Sequence, residues 1–126
     1  ERVPAATFQV ADMRTLDIPD QTIDAVIAFH SIIHLPRADH GPLFRRIHGW
    51  LKPGGWFVAS LGAGNIAAEY EANWLGAGAM YWSAFDKATY ERLLQEADLD
   101  VLAAEVRTQR EDSSLVRFLW VRCRRP

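Results

Sequence analysis

The sequence predicts an α/β fold, with a mostly parallel sheet flanked by helices and closed by an antiparallel C-terminal hairpin. Three observations predict it. The run Ile23–His30, IDAVIAFH, is nearly all apolar and β-branched at its centre. A continuous rather than alternating run suits a strand buried on both faces, as in a parallel sheet. Strand-like and helix-like stretches then alternate, which implies right-handed crossovers. Finally, DVLAAEVRTQ and SLVRFLWVRC flank the polar turn REDSS, the pattern of a hairpin.

Taken in order, Thr7–Ala11 has the Val and Phe content of a short strand. MRTLDIPDQT follows with turn chemistry centred on Pro19-Asp20, and leads into the Ile23–His30 strand. From Asp39 to Leu51 the apolar residues Leu43, Ile47 and Leu51 recur at helical spacing, which predicts an amphipathic helix. Lys52 suits the negative end of its dipole. Pro53 disfavours helical geometry at Lys52, and Gly54-Gly55 can take positive φ to reverse the chain. A strand at Trp56–Leu61 follows. Residues 62–85 hold two glycine-rich knots around IAAEYEANWL, which reads as a short helix. Asp86 then caps a helix whose Tyr90, Leu93, Leu94 and Ala97 share one face.

The 126 residues fit one domain. A net charge of −2 argues against a general nucleic-acid binder. Arg122, Arg124 and Arg125 read as a solvated basic tail. The one cysteine, Cys123, cannot form an internal disulfide, which fits a reducing compartment and a cytoplasmic protein. No run of about 18 apolar residues is present to span a bilayer. The chain opens without Met on what reads as a strand already under way, so a fragment is expected.

Four features could carry chemistry. GAGNIA, Gly62–Ala67, has the letters of a dinucleotide loop, but the acidic residue such a loop needs about 20 residues on falls in an aromatic stretch. A turn is the better reading. His30 and His34 lie four apart, yet Pro36 interrupts any helix that would align them, and no metal site is expected. Asp12 sits where a strand ends, either bonding its own turn or accepting from a ligand's amine or hydroxyl. The aromatics Tyr70, Trp74, Tyr81, Trp82 and Phe85 suit packing singly and an acceptor wall together.

The stretch from FQVADM through IDAVIAFHSIIHL to LKPGGW resembles the middle of a class I S-adenosylmethionine-dependent methyltransferase, with its Rossmann-like sheet. YWSAFDKATYERLLQEADLDVL resembles the later part of small-molecule members. The resemblance implies that residues 1–126 are a partial methyltransferase domain, from the third strand to the C-terminal strand. It implies that Asp12 contacts the adenine amine of S-adenosylmethionine, with Met13 supplying a backbone N–H. Phe29 and His30 would line the methionine part. His34 matches a histidine of variable role, and His30 and His34 are the candidate bases. Tyr70, Trp74, Tyr81 and Trp82 would bind the acceptor. Where the family has a glycine after the second helix, Asp98 must take the left-handed cap.

The implied function is methyl transfer to a small-molecule acceptor. The alternative is a non-catalytic, methyltransferase-like dimerisation or regulatory module. The family's Gly-rich loop lies upstream of these residues, so the chain alone is expected to bind cofactor poorly. The missing strands would leave the edge of Ile23–Phe29 open. A second copy, swapped strands or altered pairing is expected to cover it.

Overall fold

A computed structural model describes residues 2–126. In chain order its elements are β1 (Ile23–Phe29), α1 (Arg37–Trp50), β2 (Leu51–Gly62), β3 (Ile66–Glu71), β4 (Met80–Ala84), α2 (Lys87–Glu96), β5 (Asp100–Glu111) and β6 (Ser114–Arg124). Short 3₁₀ turns lie at Ile32–His34 and Trp74–Gly76. The main sheet has the order β1-β2-β6-β5. The β1–β2 pair is parallel, and β6 runs antiparallel to both β2 and β5. Three strands thus share one direction and β6 alone opposes them, the mixed sheet the sequence predicts. β3 and β4 form a separate antiparallel pair.

The core follows from period-two alternation. Phe57, Ala59 and Leu61 of β2 point to the same face as Leu119, Val121 and Cys123 of β6, and all six are buried. Against that face α1 lays Leu43, Phe44, Ile47 and Trp50, and α2 lays Tyr90 and Leu94. Each fully buried large side chain contributes about 1.5–3 kcal/mol.

Lys-Pro-Gly-Gly does not reverse the chain. It is a bulge inside β2, which begins at Leu51 rather than at the expected Trp56 and stays parallel to β1 on both sides of the bulge. Gly54 has φ 79°, and a Cβ on Gly55 would stand 2.8 Å from the Lys52 carbonyl oxygen. Asp98 takes the left-handed cap at φ 59°, and the Asp86 carboxylate accepts the Thr89 N–H at 2.8 Å. The helix starts at Arg37, two residues before the predicted Asp39, because Pro36 serves as its N-cap.

Three further expectations are corrected. Thr7–Ala11 forms no strand. Among the described residues no strand lies beside it to complete a ladder, and Phe8 and Val10 stand 80% and 105% exposed. IAAEYEANWL is not a helix. Its first six residues form β3, because Glu69, Tyr70 and Glu71 pair across to Trp82, Tyr81 and Met80. The basic C-terminus is not a loose tail. Arg125 Nη1 donates to the carbonyls of His48 and Leu51, each at 2.7 Å, closing the C-terminal end of α1. Arg124 Nε donates to the Gly54 carbonyl at 3.2 Å, with its guanidinium over Trp56.

The outer edge of β1 has no strand partner among the described residues. Among the described residues no helix is long and apolar enough to cross a membrane.

Candidate active site

β1 is followed by α1, which crosses back to the parallel β2, so the first turn of α1 lies at the carboxyl end of β1. Ligands in open α/β sheets bind at that end. The Asp12 turn is tied to the same place. Arg14 Nη2 donates to Asp12 Oδ2 at 2.7 Å, its Nε reaches both carboxylate oxygens at 3.1 Å, and its backbone N–H donates to Oδ1 at 2.9 Å. Arg14 Nη1 also lies 4.0 Å from Asp39 in the first turn of α1. From deeper in α1, Arg46 donates to the carbonyls of Met13, Arg14 and Leu16. The Asp12 turn is therefore braced by α1. The Arg14 side chain bonded to Asp12 lowers the carboxyl to about 2, so the group is ionised throughout the neutral range.

Phe29 and His30 end β1 on the same rim. Phe29 is half exposed and tilts against Trp120, with centroids 5.3 Å apart. His30 has φ 50°, left-handed for a residue that carries a Cβ. Such strain costs about 1–3 kcal/mol and persists only where surroundings fix it. Two contacts fix it here. The His30 N–H donates to the buried Ser60 Oγ at 2.8 Å, and the ring stands edge-on to Phe118 at 4.5 Å.

His34 does not join His30. It lies in the 3₁₀ turn and bonds the Tyr81 carbonyl through Nδ1 at 2.9 Å, which ties it to β4. His40 is fully buried between α1, α2 and β4. The Tyr90 hydroxyl donates to Nδ1 at 3.1 Å, and Nε2–H donates to the Leu35 carbonyl at 3.1 Å. Ser83 Oγ lies 3.2 Å from the same nitrogen and donates to Leu35. Burial pushes the His40 imidazole below its ordinary value, which favours the neutral ring that this assignment of donors describes. Burial also raises Tyr90 to about 12, keeping its hydroxyl a donor.

β3 and β4 stand over the carboxyl end of β2. A Cβ on Gly62 would come 2.5 Å from that of Ala84, so only glycine permits this approach. Beneath the hairpin lies a cavity of about 560 Å³ that Trp74 and Trp82 line together. Their indoles meet edge to face with centroids 6.0 Å apart. Phe118 is shared, forming cavity wall on one side and packing against His30 on the other. Of the four predicted acceptor aromatics the cavity thus holds Trp74 and Trp82. Tyr70 and Tyr81 pair with each other on the opposite face of the hairpin, outside that lining.

GAGNIA is the end of β2, a turn with Gly64 at φ 140°, and the start of β3. The helix N-terminus a dinucleotide loop requires does not follow it.

Sequence reasoning missed Arg14, Arg46, Ser60, Ser83 and the cavity's acidic residues. Only Ser60 left a trace, as a hydroxyl in the otherwise apolar FVASL run.

Comparison with known proteins agrees with this architecture. Residues 1–59 match the family described as Methyltransferase domain. A phosphoethanolamine N-methyltransferase of Triticum aestivum is 34% identical over 107 residues, 82% of this chain and 20% of the relative. Phosphoethanolamine N-methyltransferase 1 of Arabidopsis thaliana is 30% identical over 115 residues, 89% of this chain and 22% of the relative. The chain spans about a fifth of the length of these curated relatives. An S-adenosylmethionine-dependent methyltransferase from Methanosarcina mazei superimposes with a TM-score of 0.79 at 12% identity, over 94% of this chain and 66% of that one. Another from Mesorhizobium loti gives 0.73 at 19% identity, over 97% and 72%. The chain carries the class I S-adenosylmethionine-dependent methyltransferase fold, in its Rossmann-like form.

Proposed function

We propose that the protein transfers a methyl group from S-adenosylmethionine to a small-molecule acceptor. The observation that carries this reading is the rim itself. An ionised Asp12 turn braced on the first turn of α1 and the strained Phe29–His30 strand end lie toward the carboxyl end of β1, and a ligand-sized cavity adjoins His30 through Phe118. The residues present fit the cofactor. Asp12 carries the negative charge that would meet an exocyclic amine. Both its oxygens are held by Arg14, so the amine would share or displace that pair. The Met13 backbone N–H would be a donor and Phe29 a half-exposed apolar surface.

When bound, S-adenosylmethionine supplies an activated methyl group, so the protein's task is chiefly positioning, worth about 7–11 kcal/mol at best. Arg46 holds the Asp12–Leu16 turn in register with α1. Ser60 and Phe118 hold His30. His30 packs behind Phe118, outside the cavity lining, so it would receive an acceptor proton only from an acceptor that reaches past that ring. His34 is engaged with the backbone of β4 and serves the hairpin's position instead.

A single free cysteine with no disulfide partner is compatible with a protein of the cytoplasm. The open edge of β1, with Ile27 exposed, supports an assembly in which a second copy or swapped strands pair with it.

Calorimetric titration of S-adenosylhomocysteine into the protein expressed from its full reading frame tests the proposal, with light scattering of the same sample for assembly. One saturable site is expected, weakened about tenfold or more by Asp12→Ala. A folded protein that binds only a nicotinamide dinucleotide, or neither ligand, overturns it. The second outcome leaves the non-catalytic interaction module.

A further inference from the structure

The cavity beneath the β3–β4 hairpin has a wall chemistry that selects its ligand. Glu69 and Glu71 alternate on one face of β3, and Glu69 lies directly across from Trp82. With Glu111 they set three carboxylates against a single guanidinium, Arg117. Among the described residues, Glu69, Glu71 and Arg117 form no ion pair, so the carboxylates of β3 have no cation of their own. The edge-to-face indoles of Trp74 and Trp82 offer a corner of π-surface beside them. Indole faces attract a desolvated cation, and aromatic corners are a general solution for alkylated ammonium groups. The acidic walls add a field of the same preference.

We infer that the cavity takes a small organic cation that carries no phosphate. It is an amine, which gives up its ammonium proton before its nitrogen lone pair takes the methyl, or its fully alkylated ammonium, which has no lone pair and binds only as a product. A phosphate ester brings about −1.5 to −2 charge at neutral pH, which three carboxylates repel and one exposed arginine does not offset. This inference rests on the methyl-transfer reading for the cavity's role as acceptor site, and it departs from the acceptor in the relatives' names. Those relatives are named for phosphoethanolamine.

The test uses choline as the cation, 3,3-dimethylbutan-1-ol as its neutral isostere and phosphocholine as its phosphate ester. Each is titrated into the full-reading-frame protein with tryptophan emission and calorimetry as readouts, and S-adenosylhomocysteine is titrated separately. Choline is expected to perturb the emission saturably and to bind at least about tenfold tighter than either comparator. Raising the salt from about 0.05 to 0.5 M weakens it. Trp82→Leu and Glu71→Gln, with the fold checked by circular dichroism, each weaken choline at least about fivefold without altering S-adenosylhomocysteine binding. Phosphocholine or the neutral alcohol binding as tightly as choline overturns the inference, as do unaffected variants or absent choline binding in a folded protein. If S-adenosylhomocysteine binds and choline does not, this inference falls alone. If choline binds and S-adenosylhomocysteine does not, the methyl-transfer reading falls instead.

Discussion

The His40 imidazole shows how much a single side chain can hold together. Its two nitrogens join α1 to α2 through Tyr90 and to β4 through Leu35 and Ser83, in a site with no water access. A buried polar group that loses its partners costs about 1–3 kcal/mol, so His40→Ala should destabilise the chain by that order. The pH dependence has a definite sign. The folded-state value is depressed by burial, so the unfolded chain binds a proton that the native state refuses. Stability is then full above the ordinary histidine value, about 6.5, and declines as pH falls below it. Thermal melts of wild type and His40→Gln from about pH 8 to 5.5 check this. The advantage of the wild type should shrink on acidification, and His48, present in both proteins, cancels in the comparison. A gap that holds constant with pH would show that His40 is not buried neutral.

Among the elements, α1 depends on a residue nearly eighty positions away. Arg125 donates to the carbonyls of His48, Gly49 and Leu51, and its backbone pairs with Gly54 and Gly55. Arg125→Met keeps the stem and removes the donors, and should lower the unfolding free energy measured in urea by about 1.5–3 kcal/mol. That contact was invisible in the sequence, where Arg122, Arg124 and Arg125 read as a solvated run. The elements with local causes were legible: the Asp86 cap, the α1 stripe and the IDAVIAF strand each declare themselves within a few residues, whereas Gly54-Gly55, expected to reverse the chain, only bulges β2. The elements that failed depend on neighbours. Thr7–Ala11 has strand composition but no ladder beside it. Ile66–Glu71 has a helix-compatible composition but is drawn into pairing with Met80–Ala84. The proposed site divides the same way. Asp12, Phe29, His30, Trp74 and Trp82 are candidates that the sequence offers, whereas the positions of Arg46, Ser60, Glu69 and Glu71 arise from packing that no local pattern encodes.

On the scale of the whole molecule, the sheet presents two unlike faces and, among the described residues, two open edges, those of β1 and β5. One face is filled by α1 and α2 with Leu43, Phe44, Ile47, Tyr90 and Leu94. The Asp12 turn is tied to α1, the Phe29–His30 strand end closes β1, and the acidic, indole-lined cavity meets His30 through Phe118. The account stands on the first two of these serving one ligand. The direct measurement is a titration of S-adenosylhomocysteine into the isotopically labelled 126-residue chain, followed by the backbone amide resonances of Met13 and His30, which registers even weak binding. Both resonances should shift along one saturation curve with a common midpoint. Two different midpoints, or movement of one amide while the other stays fixed, would contradict it.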